Sequence, residues 1–391
     1  MRIAVLTSLY PSATRPHEGI FAERRWQGML ARGHSVRVAH PLPYAPFPLS
    51  LAARYGELAK SPAREERAGI VVVRPRYLHW PRAARANARR FADKGLAALL
   101  STERPDVVVC DYAWPAGVAA HACARERVPC VISGRGSDVL QVAGEAGLAP
   151  ELASALRAAG HWCGVSQDLV DRMDELAGAR RGVLVPNGVD LTLFAPRDRN
   201  ALRAELGLDP ALAVVLVVGH LIERKDPLLA LRSFLAWTKS TAPFAKLVFI
   251  GRGPLEETVR AAAADAGMAH AVELAGEKPP SELAKWYGAA DALLLTSSRE
   301  GRPNVVLEAL ASGLPVVATR AGGTAELLEG LPHALAGTRD ADEIGRLLAF
   351  VLRERPAPEL LRARVAELSW NAGLATLERL LESAARAGVA A

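Results

Sequence analysis

The sequence predicts an α/β protein built from two consecutive doubly wound units, and three observations support this. Short apolar runs rich in β-branched residues alternate with longer stretches of helical periodicity, as in parallel sheets built from βαβ units. A segment rich in turn residues, VPNGVDLTLFAPRDRN at 185–200, interrupts this alternation. The same alternation then starts again, so we expect two domains whose functional loops face one shared central cleft.

Seven short apolar runs predict the strands of the first half. They lie at 3–7, 35–39, 70–74, 107–110, 130–133, 162–165 and 183–185. The first helix, FAERRWQGMLARG, is expected to end at Gly33, because glycine readily adopts the left-handed conformation that terminates helices.

The second half repeats the pattern with its own strands and helices. AVVLVVGH, KLVFIGRGP, DALLLTSS and PVVATRA predict strands, and PLLALRSFLAWTKS and PSELAKWYGAA predict helices between them. A last helix carries leucines at 374, 377, 380 and 381 and is expected to pack back on the first domain. We therefore expect an N-terminal domain at 1–190, a C-terminal domain at 191–370 and a final helix at 371–391.

Composition and length restrict the class of protein. The 391 residues, 50% hydrophobic and 23% charged, suit two globular domains. The apolar run at the N-terminus is too short for a signal peptide, and no segment approaches the roughly 18 apolar residues of a membrane span, so a cytoplasmic protein is expected. The four cysteines, Cys110, Cys123, Cys130 and Cys163, lack paired C-x-x-C spacing, which predicts reduced thiols and no structural metal.

The positive charge is concentrated in the first half of the chain. Residues 1–195 contain 25 Lys/Arg against 18 Asp/Glu, and the stretch 67–94 contains eight basic residues and one acid. Tyr77, Leu78 and Trp80 lie within this stretch, so it could contact an anionic membrane surface at the inner face of the membrane or a phosphorylated acceptor. A solvated helix face is the alternative, and nucleic acid is disfavoured because no binding motif accompanies the charge.

A turn and helix in SSREGRPNVVLEALASG, residues 297–313, carry the clearest chemical signal. Pro303 suits the first helical turn, where a missing N–H costs nothing. The helix that begins near Asn304 would then direct its amides and positive dipole end towards a ligand, which favours a phosphate. Glycine turns after other strands of this half, at Gly219 and Gly251, would let the backbone approach the same ligand.

Two acidic residues, Glu300 and Glu308, flank this helix start. An unpaired carboxylate in an apolar core is costly, so their presence in and beside an apolar helix indicates a ligand. Both could accept hydrogen bonds from sugar hydroxyls on either side of a bound diphosphate. The alternative is that Glu300 caps or forms a salt bridge locally and that Glu308 extends to solvent.

The block from Glu300 to Gly313 resembles the E-x7-E motif of retaining glycosyltransferases of family 4, which have the GT-B fold. RPHEGIFAERRWQGMLARGHSVRVAHP resembles the N-terminal glycine loop and first helix of this family, and VPNGVDLTLFAP its interdomain segment. VVGHLIERKDPLLAL resembles its first C-domain strand and basic turn, and LSWNAGLATLERLL its closing helix. The resemblance covers nearly the whole chain in the right order, and it implies two Rossmann-like domains, an N-terminal one for the acceptor and a C-terminal one for a nucleotide sugar.

The resemblance also implies roles for individual residues in binding a nucleoside diphosphate sugar, either UDP- or GDP-linked. Glu308 is expected to hold the donor ribose, Glu300 the transferred sugar, and the amides of Asn304 and Val305 the phosphates. Lys225 matches the basic residue that neutralises the departing diphosphate, so a metal ion should not be required. Gly19 falls in the loop that approaches the phosphates from the first domain, with His17 as a neighbour in the cleft.

Two departures from the family pattern concern phosphate and sugar contacts. His220 stands where many members have an arginine that binds phosphate, and Arg224 could compensate for it. Asp111 stands near the position where relatives often place a histidine, and it could orient a sugar hydroxyl or accept the proton of the acceptor. Arg135, after the next strand, could line the cleft together with Asp138 and select the acceptor.

The predicted function is therefore sugar transfer with retention of configuration, from a nucleotide sugar to a glycan or lipid-linked acceptor in polysaccharide or glycolipid biosynthesis. A nucleotide-sugar epimerase of similar fold and a catalytically impaired transferase-like binding protein are the alternatives. An NAD-dependent oxidoreductase is disfavoured because no G-x-G-x-x-G follows the first strand.

Overall fold

The computed structural model describes residues 1–16, 18–241 and 244–389, and its backbone divides into two compact units. The first unit contains Met1–Asn187 together with Trp370–Ala391, and the second contains Gly188–Ser369. The boundary lies three residues before the predicted one, and the C-terminal helix shares a unit with the first 187 residues.

Ten strands are found among the described residues of the first unit. They are β1 (Arg2–Thr7), β2 (Ser35–Ala39), β3 (Leu42–Tyr44), β4 (Arg64–Arg67), β5 (Ile70–Val73), β6 (Arg76–Leu78), β7 (Val107–Asp111), β8 (Cys130–Gly134), β9 (Gly160–Gly164) and β10 (Val183–Leu184). Eight of them form one sheet in the order β10-β9-β8-β7-β1-β2-β5-β4, and β3 pairs with β6 in a separate small sheet. All pairs are parallel except β4–β5. The seven predicted strands are confirmed within about two residues, and β3, β4 and β6 were not predicted.

The helices of the first unit cover both faces of this sheet. They are α1 (Ile20–Ala31), α2 (Ala53–Ala59), α3 (Ala84–Leu100), α4 (Ala113–Ala116), α5 (Ala120–Arg125), α6 (Ser137–Gly144), α7 (Ala149–Ala159), α8 (Gln167–Ala177) and α17 (Trp370–Val389). Two buried apolar clusters lie in this unit, and strand residues alternate between them because successive side chains point to opposite faces. Ala4 and Leu6 belong to one cluster, whereas Ile3 and Val5 belong to the other.

The second unit contains a six-stranded parallel sheet among its described residues. Its strands are β11 (Ala213–Val218), β12 (Ala245–Ile250), β13 (Val272–Gly276), β14 (Ala292–Leu295), β15 (Val316–Thr319) and β16 (Leu335–Ala336). Its helices are α9 (Arg199–Glu205), α10 (Pro227–Thr241), α11 (Glu256–Asp265), α12 (Pro280–Ala289), α13 (Asn304–Ala311), α14 (Thr324–Leu328), α15 (Ala341–Glu354) and α16 (Pro358–Ala363). The strand order β13-β12-β11-β14-β15-β16 is that of a doubly wound nucleotide-binding fold.

The C-terminal helix α17 packs on α1 in the first unit. Leu374, Leu377 and Leu381 are buried in the cluster that also contains Trp26 and Met29. A Cβ atom on Gly28 would come within 2.3 Å of the Leu374 Cδ1 atom, so the two helices approach closely here and a larger residue would force the Leu374 side chain to shift. In the part of the chain that the structure describes, no helix is both long and apolar enough to span a bilayer.

Candidate functional site

The second unit has a topological switch point between β11 and β14. These two strands are neighbours in the sheet, and the connections that follow them run in opposite directions along it. Ligands of doubly wound sheets bind beyond the carboxyl ends of the strands at such a point. Gly219 follows β11 and Glu300 follows β14, so the fold brings both sequence-predicted loops to this edge.

Two glycines let the loops after β11 and β12 pack backbone against backbone. A Cβ atom on Gly251 would lie 2.1 Å from the Gly219 carbonyl oxygen, and one on Gly253 would lie 2.4 Å from the Leu221 carbonyl oxygen. Gly251 also has a φ of 142°, which L side chains rarely adopt. Any side chain at either position would push the two loops apart, so these glycines shape the edge of the sheet near the switch point.

The basic turn after β11 is hydrogen-bonded to the residues that follow β14. A 3₁₀ turn spans Glu223–Lys225. The Thr296 hydroxyl donates to the carbonyl oxygen of Lys225 at 3.1 Å, and the Ser298 amide donates to that of Arg224 at 2.8 Å. These bonds fix the backbone of both basic residues beside the loop that carries Glu300.

Glu300 forms an ion pair with Lys225 in this structure. The Lys225 Nζ atom lies 2.6 Å from Glu300 Oε1, and Arg224 Nη1 lies 3.4 Å from Glu300 Oε2. The Glu300 side chain is only 8% exposed. Burial alone would raise its pKa, but the charge and hydrogen bond of Lys225, together with further hydrogen bonding and the charge of Arg224, outweigh burial, so the pKa of Glu300 lies below its ordinary value. Glu300 is therefore an ionised acceptor held between two cations.

Helix α13 begins directly after this carboxylate. Pro303 precedes the helix, and the Val306 amide already donates to the Pro303 carbonyl oxygen at 3.1 Å. Asn304 and Val305 supply the first two amides, and in an α-helix such amides point beyond the N-terminal end. Glu300 and its partner Lys225 thus lie beside the start of α13, and the binding of a phosphate at this place stays a prediction.

Glu308 lies in the second turn of α13 and is 7% exposed. The Tyr287 hydroxyl on α12 donates to Glu308 Oε2 at 3.1 Å. Burial, and then the Glu308 charge, raise the pKa of Tyr287 well above its ordinary value, so the phenol remains a proton donor. The predicted alternative, in which Glu308 extends to solvent, does not hold, because this hydrogen bond keeps the carboxylate against α12.

Two further charged residues near this site, Arg302 and Glu326, were not predicted from the sequence. Arg302 lies between Glu300 and Pro303, its side chain is 7% exposed, and its Nη1 atom lies 3.6 Å from Glu326 Oε2. No pattern in the sequence marks this pair, because the two residues are 24 positions apart and meet only through the fold.

His220, which stands at the position of a phosphate-binding arginine in many family members, is an exposed residue directly after Gly219.

In the first unit, Asp111 forms a buried salt bridge with Arg135. Asp111 ends β7 and is fully buried, and Arg135 Nε and Nη2 donate to its two carboxylate oxygens at 2.7 Å each. The Trp26 indole N–H donates to Asp111 Oδ2 at 3.0 Å. Burial would raise the pKa of Asp111, but the charge and hydrogen bonds of Arg135, the charge of Arg25 and the Trp26 hydrogen bond together outweigh burial and keep that pKa below the ordinary value.

This arrangement differs from the expectation that Asp111 and Arg135 each face a ligand. Arg135 also donates to the Asn187 side chain at 3.1 Å, and Arg25 donates to the same oxygen at 3.1 Å. Burial, and then the Arg135 charge, lower the pKa of Arg25 to about 10. The Asp111 carboxylate therefore balances two buried cations, a structural task that leaves it no exposed surface for a sugar hydroxyl.

Asp138 is similarly engaged, at the start of α6. It accepts backbone N–H bonds from Ala113 at 2.6 Å, Arg135 at 3.0 Å and Gly136 at 2.6 Å. Burial raises the pKa of Asp138 to about 6 in spite of these bonds. Its contacts stabilise the loops after β7 and β8, which contain Asp111 and Arg135.

We expect Asp111→Ala to lower the free energy of unfolding by about 3–5 kcal/mol, because it leaves Arg135 and Arg25 buried without a counter-charge. Chemical denaturation measures this difference. Asp106→Ala is the matched control, since Asp106 pairs with Arg2 near the surface at 2.7 Å and a surface ion pair contributes about 0–1 kcal/mol. Equal losses in the two variants would contradict a structural role for Asp111.

Gly19 precedes α1 and has a φ of 76°. A Cβ atom at this position would lie 2.9 Å from the backbone of Leu9 and Tyr10, in the loop that follows β1. Glycine is therefore required for the close packing of the two loop segments. His17 lies outside the described residues.

Within the described ranges, no group of three or more His, Cys, Asp or Glu side chains is placed to hold a metal ion. The four cysteines are free and buried, and the sulfur atoms of Cys110 and Cys130 are 3.7 Å apart.

Comparison with known proteins agrees with this fold. The model of the family "Glycosyltransferase Family 4" matches residues 25–193, and that of "Glycosyl transferases group 1" matches residues 198–367. TuaC of Bacillus subtilis, a glycosyltransferase provisionally assigned to teichuronic acid biosynthesis, is 29% identical over 89% of this chain and 88% of its own length. A D-inositol 3-phosphate glycosyltransferase from Segniliparus rotundus is 38% identical over 53% of this chain, and the match spans 42% of that relative.

Solved structures agree on the fold. Sucrose-phosphate synthase from Thermosynechococcus elongatus has a TM-score of 0.77 at 18% identity, with 98% of this chain and 99% of that chain covered. Anabaena HepE in complex with UDP has a TM-score of 0.73 at 17% identity, with 98% and 100% covered. The fold is thus that of a GT-B protein with two Rossmann-like units, as the sequence predicted. The chain belongs to the family 4 glycosyltransferases, which confirms the predicted family.

Proposed function

We propose that this protein transfers a sugar from a nucleoside diphosphate sugar to an acceptor hydroxyl with retention of configuration. The observation that carries the proposal is the ion pair of Lys225 and Glu300 beside the start of α13, with Glu308 on the same helix. Relatives support the donor class, since HepE has been crystallised with UDP and with UDP-glucose. The nucleotide of the donor is UDP or GDP in this proposal.

Each part of the donor has a candidate partner in the second unit. The amides of Asn304 and Val305 bind the diphosphate, because a helix N-terminus attracts anions. The Glu308 carboxylate accepts from the ribose hydroxyls, and the Glu300 carboxylate accepts from the transferred sugar. Because Glu300 is ionised and buried, its hydrogen bonds to hydroxyl groups are charge-assisted and strong.

Lys225 and Arg224 stabilise the leaving group. Negative charge develops on the diphosphate as the bond between the anomeric carbon and the phosphate oxygen breaks. The two cations already lie beside Glu300, so they can contact that charge without a large change of position. Arg224 thereby compensates for His220. We propose that these cations make a divalent metal ion unnecessary, which transfer activity in the presence of a chelator would test.

The transfer itself takes place on one face of the sugar. The bond to the departing phosphate breaks, the acceptor oxygen bonds to the anomeric carbon on the same face, and its proton passes to the leaving phosphate oxygen. Glu300 need not act as a nucleophile, because Lys225 holds its carboxylate. From the first unit, the loop at Gly19 is proposed to approach the phosphates, and Arg135 to contribute to acceptor selection by positioning its loop.

The acceptor is proposed to be a glycan or a lipid-linked saccharide in polysaccharide or glycolipid biosynthesis. TuaC is provisionally assigned to teichuronic acid biosynthesis, and other relatives are named for D-inositol 3-phosphate, so both names contain an acidic compound. Both names fit an acceptor that the basic first half of this chain could attract.

A donor screen tests the proposal directly. Thermal unfolding is measured with UDP, GDP and ADP and then with their common sugars. One nucleotide should raise the melting temperature, since a ligand at 100 times its Kd stabilises the native state by about 2.7 kcal/mol. Transfer from the matching α-linked donor should give an α-linked product by NMR. No shift with any nucleotide, or a β-linked product, would contradict the proposal.

The same experiment separates the two alternatives. An epimerase would convert the donor sugar without an acceptor, and an impaired binding protein would bind the nucleotide but neither transfer nor slowly hydrolyse the sugar. The buried salt bridge of Asp111 is the observation that favours the second alternative, because it removes one expected contact to the reacting sugar.

A further inference from the structure

The small sheet formed by β3 and β6 in the first unit places the two chain segments that follow these strands next to each other. β3 and β6 are parallel, Tyr44 lies opposite Leu78, and the His79 amide donates to the Tyr44 carbonyl oxygen at 2.8 Å. Because parallel strands end at the same edge, the segments that follow, residues 45–50 and 79–82, leave this sheet side by side. β3 and β6 also begin within three residues of the carboxyl ends of β2 and β5.

Four large apolar side chains are exposed at this edge, one on the last residue of β3 and three on the two segments that follow the strands. Phe47 is 80% exposed, Trp80 51%, Tyr44 48% and Leu49 37%, and we call this group the aromatic rim. Single exposed apolar residues are ordinary, but a group of four at one edge indicates an interaction site. Tyr77, which the sequence suggested for this surface, is instead buried and packs edge-on against Phe91 at 5.7 Å.

The segment with Trp80 is held firmly. The Asn87 side chain on α3 accepts from the Trp80 amide at 2.9 Å and donates to the Trp80 carbonyl oxygen at 2.7 Å. The Tyr55 hydroxyl is 2.9 Å from His79 Nδ1. The exposed indole is therefore presented by an ordered backbone, which lowers the entropic cost of binding through it.

Only part of the basic stretch 67–94 can serve an external partner. Arg67 pairs with Glu23 at 2.7 Å, Arg74 donates to the Pro11 carbonyl oxygen at 2.7 Å, and Arg76 donates to the Leu58 carbonyl oxygen at 2.8 Å. These three guanidinium groups are engaged within the first unit, so they cannot define the surface.

Arg82 and Arg90 are the basic residues next to the aromatic rim. Arg82 is exposed in the turn two residues after Trp80. Arg90 Nη1 donates to the same Asn87 oxygen that accepts from Trp80, at 3.4 Å. Neither forms an ion pair with an acid within the described part of the chain, whereas Arg85 and Arg89 of α3 share the carboxylate of Glu151 at 3.7 and 3.2 Å. The aromatic rim is thus bordered by positive charge.

We propose that the aromatic rim, with Arg82 and Arg90, docks this protein peripherally on an anionic lipid bilayer. Tryptophan and tyrosine favour the boundary between headgroups and hydrocarbon, and arginine near an anionic surface strengthens binding about fivefold per charge. A second copy of this chain is a poorer partner, because it would place like charges opposite each other. Docking at this place brings the bilayer to the end of the first unit at which β2 and β5 finish. A lipid-linked acceptor would enter at this end.

Vesicle co-sedimentation of the full chain tests the proposal without donor or acceptor. Vesicles of phosphatidylcholine are compared with vesicles that contain roughly one third phosphatidylglycerol, at low and high salt. Two double variants are compared with wild type, Phe47→Ser with Trp80→Ser and Arg82→Glu with Arg90→Glu. Phe244→Ser and Lys239→Glu are the controls, since Phe244 is 62% exposed and Lys239 is exposed in the second unit.

Wild type should bind the anionic vesicles at low salt and bind phosphatidylcholine much more weakly. Each double variant should lose at least about tenfold in partitioning, and the two controls should remain at the wild-type level. Four results would overturn the proposal: wild type that stays in the supernatant, rim variants that bind like wild type, controls that lose as much, or rim variants that convert a dimer to a monomer. None of these results depends on whether the donor site functions as proposed.

Discussion

Replacing Lys225 by methionine should lower kcat about 100- to 1,000-fold, the usual effect of removing one group that stabilises a developing negative charge. Lys225 Nζ lies 2.6 Å from Glu300 at the switch point, so its ammonium is held where a diphosphate would leave. Methionine keeps most of the side-chain volume and removes only the charge. Donor affinity should fall much less than kcat, because the charge is needed most when the phosphate bond breaks. A transfer assay over a range of donor concentrations separates the two quantities.

Two controls make the Lys225 result interpretable. Lys225→Arg keeps a cation and should retain part of the activity, while Lys239→Met removes an exposed lysine of α10 and should have no effect. The variant also removes the main partner of a buried carboxylate, so the pKa of Glu300 should rise from its lowered value. A kcat close to wild type in Lys225→Met would exclude Lys225 from the catalytic machinery.

Replacing Glu308 by alanine should weaken binding of a nucleoside diphosphate about 100-fold. A hydrogen bond to a charged group contributes about 1.5–3 kcal/mol, and two ribose hydroxyls can donate to one carboxylate. Calorimetry with the nucleotide selected by the donor screen measures the loss. Pyrophosphate, which has no ribose, should bind wild type and variant equally, because its proposed contacts are with the start of α13 and Lys225.

The matched control for Glu308 is Tyr287→Phe. It removes the hydroxyl that donates to Glu308 at 3.1 Å but keeps the carboxylate, so nucleotide affinity should fall only slightly. If both variants weaken binding to the same extent, or if Glu308→Ala binds as wild type does, the carboxylate serves only to hold α12 against α13.

Most of the sheet could be predicted from sequence because its strands are continuous apolar runs. Strands buried on both faces, such as VVVC at 107–110, differ clearly from the amphipathic helices between them. β4 was not predicted, since its sequence REER is charged and the strand forms only by pairing with β5 across a two-residue turn. β3 and β6, three residues each, are too short to give a periodic signal.

The candidate donor site was predictable because its residues lie close together in sequence. Glu300, the start of α13 and Glu308 occur within nine positions, so one turn and the helix that follows it place all three. The partner of each acid was not predictable from local sequence. Lys225 reaches Glu300 from 75 positions away, and Tyr287 reaches Glu308 from another helix.

The contacts of Asp111 could not be predicted from its position in the sequence. The resemblance placed Asp111 near a position where relatives often have a histidine, which suggested a contact with the sugar or the acceptor. Whether such a carboxylate faces a ligand or balances an internal charge depends on its neighbours. Here the guanidinium groups of Arg135 and Arg25 and the indole of Trp26 come from β1-to-β2 and β8-to-β9 connections, which only the folded sheet brings together.

The sequence by itself determined the class of fold, the family and the helix that carries Glu308, because periodicity and short-range spacing act within one segment of chain. Only the tertiary structure decided which charges neutralise each other, since burial and Coulomb interactions depend on distance in space. That is why Glu300 proved to be paired with Lys225, why Asp111 proved to be internal, and why the exposed aromatic rim emerged from two segments more than thirty residues apart in the chain.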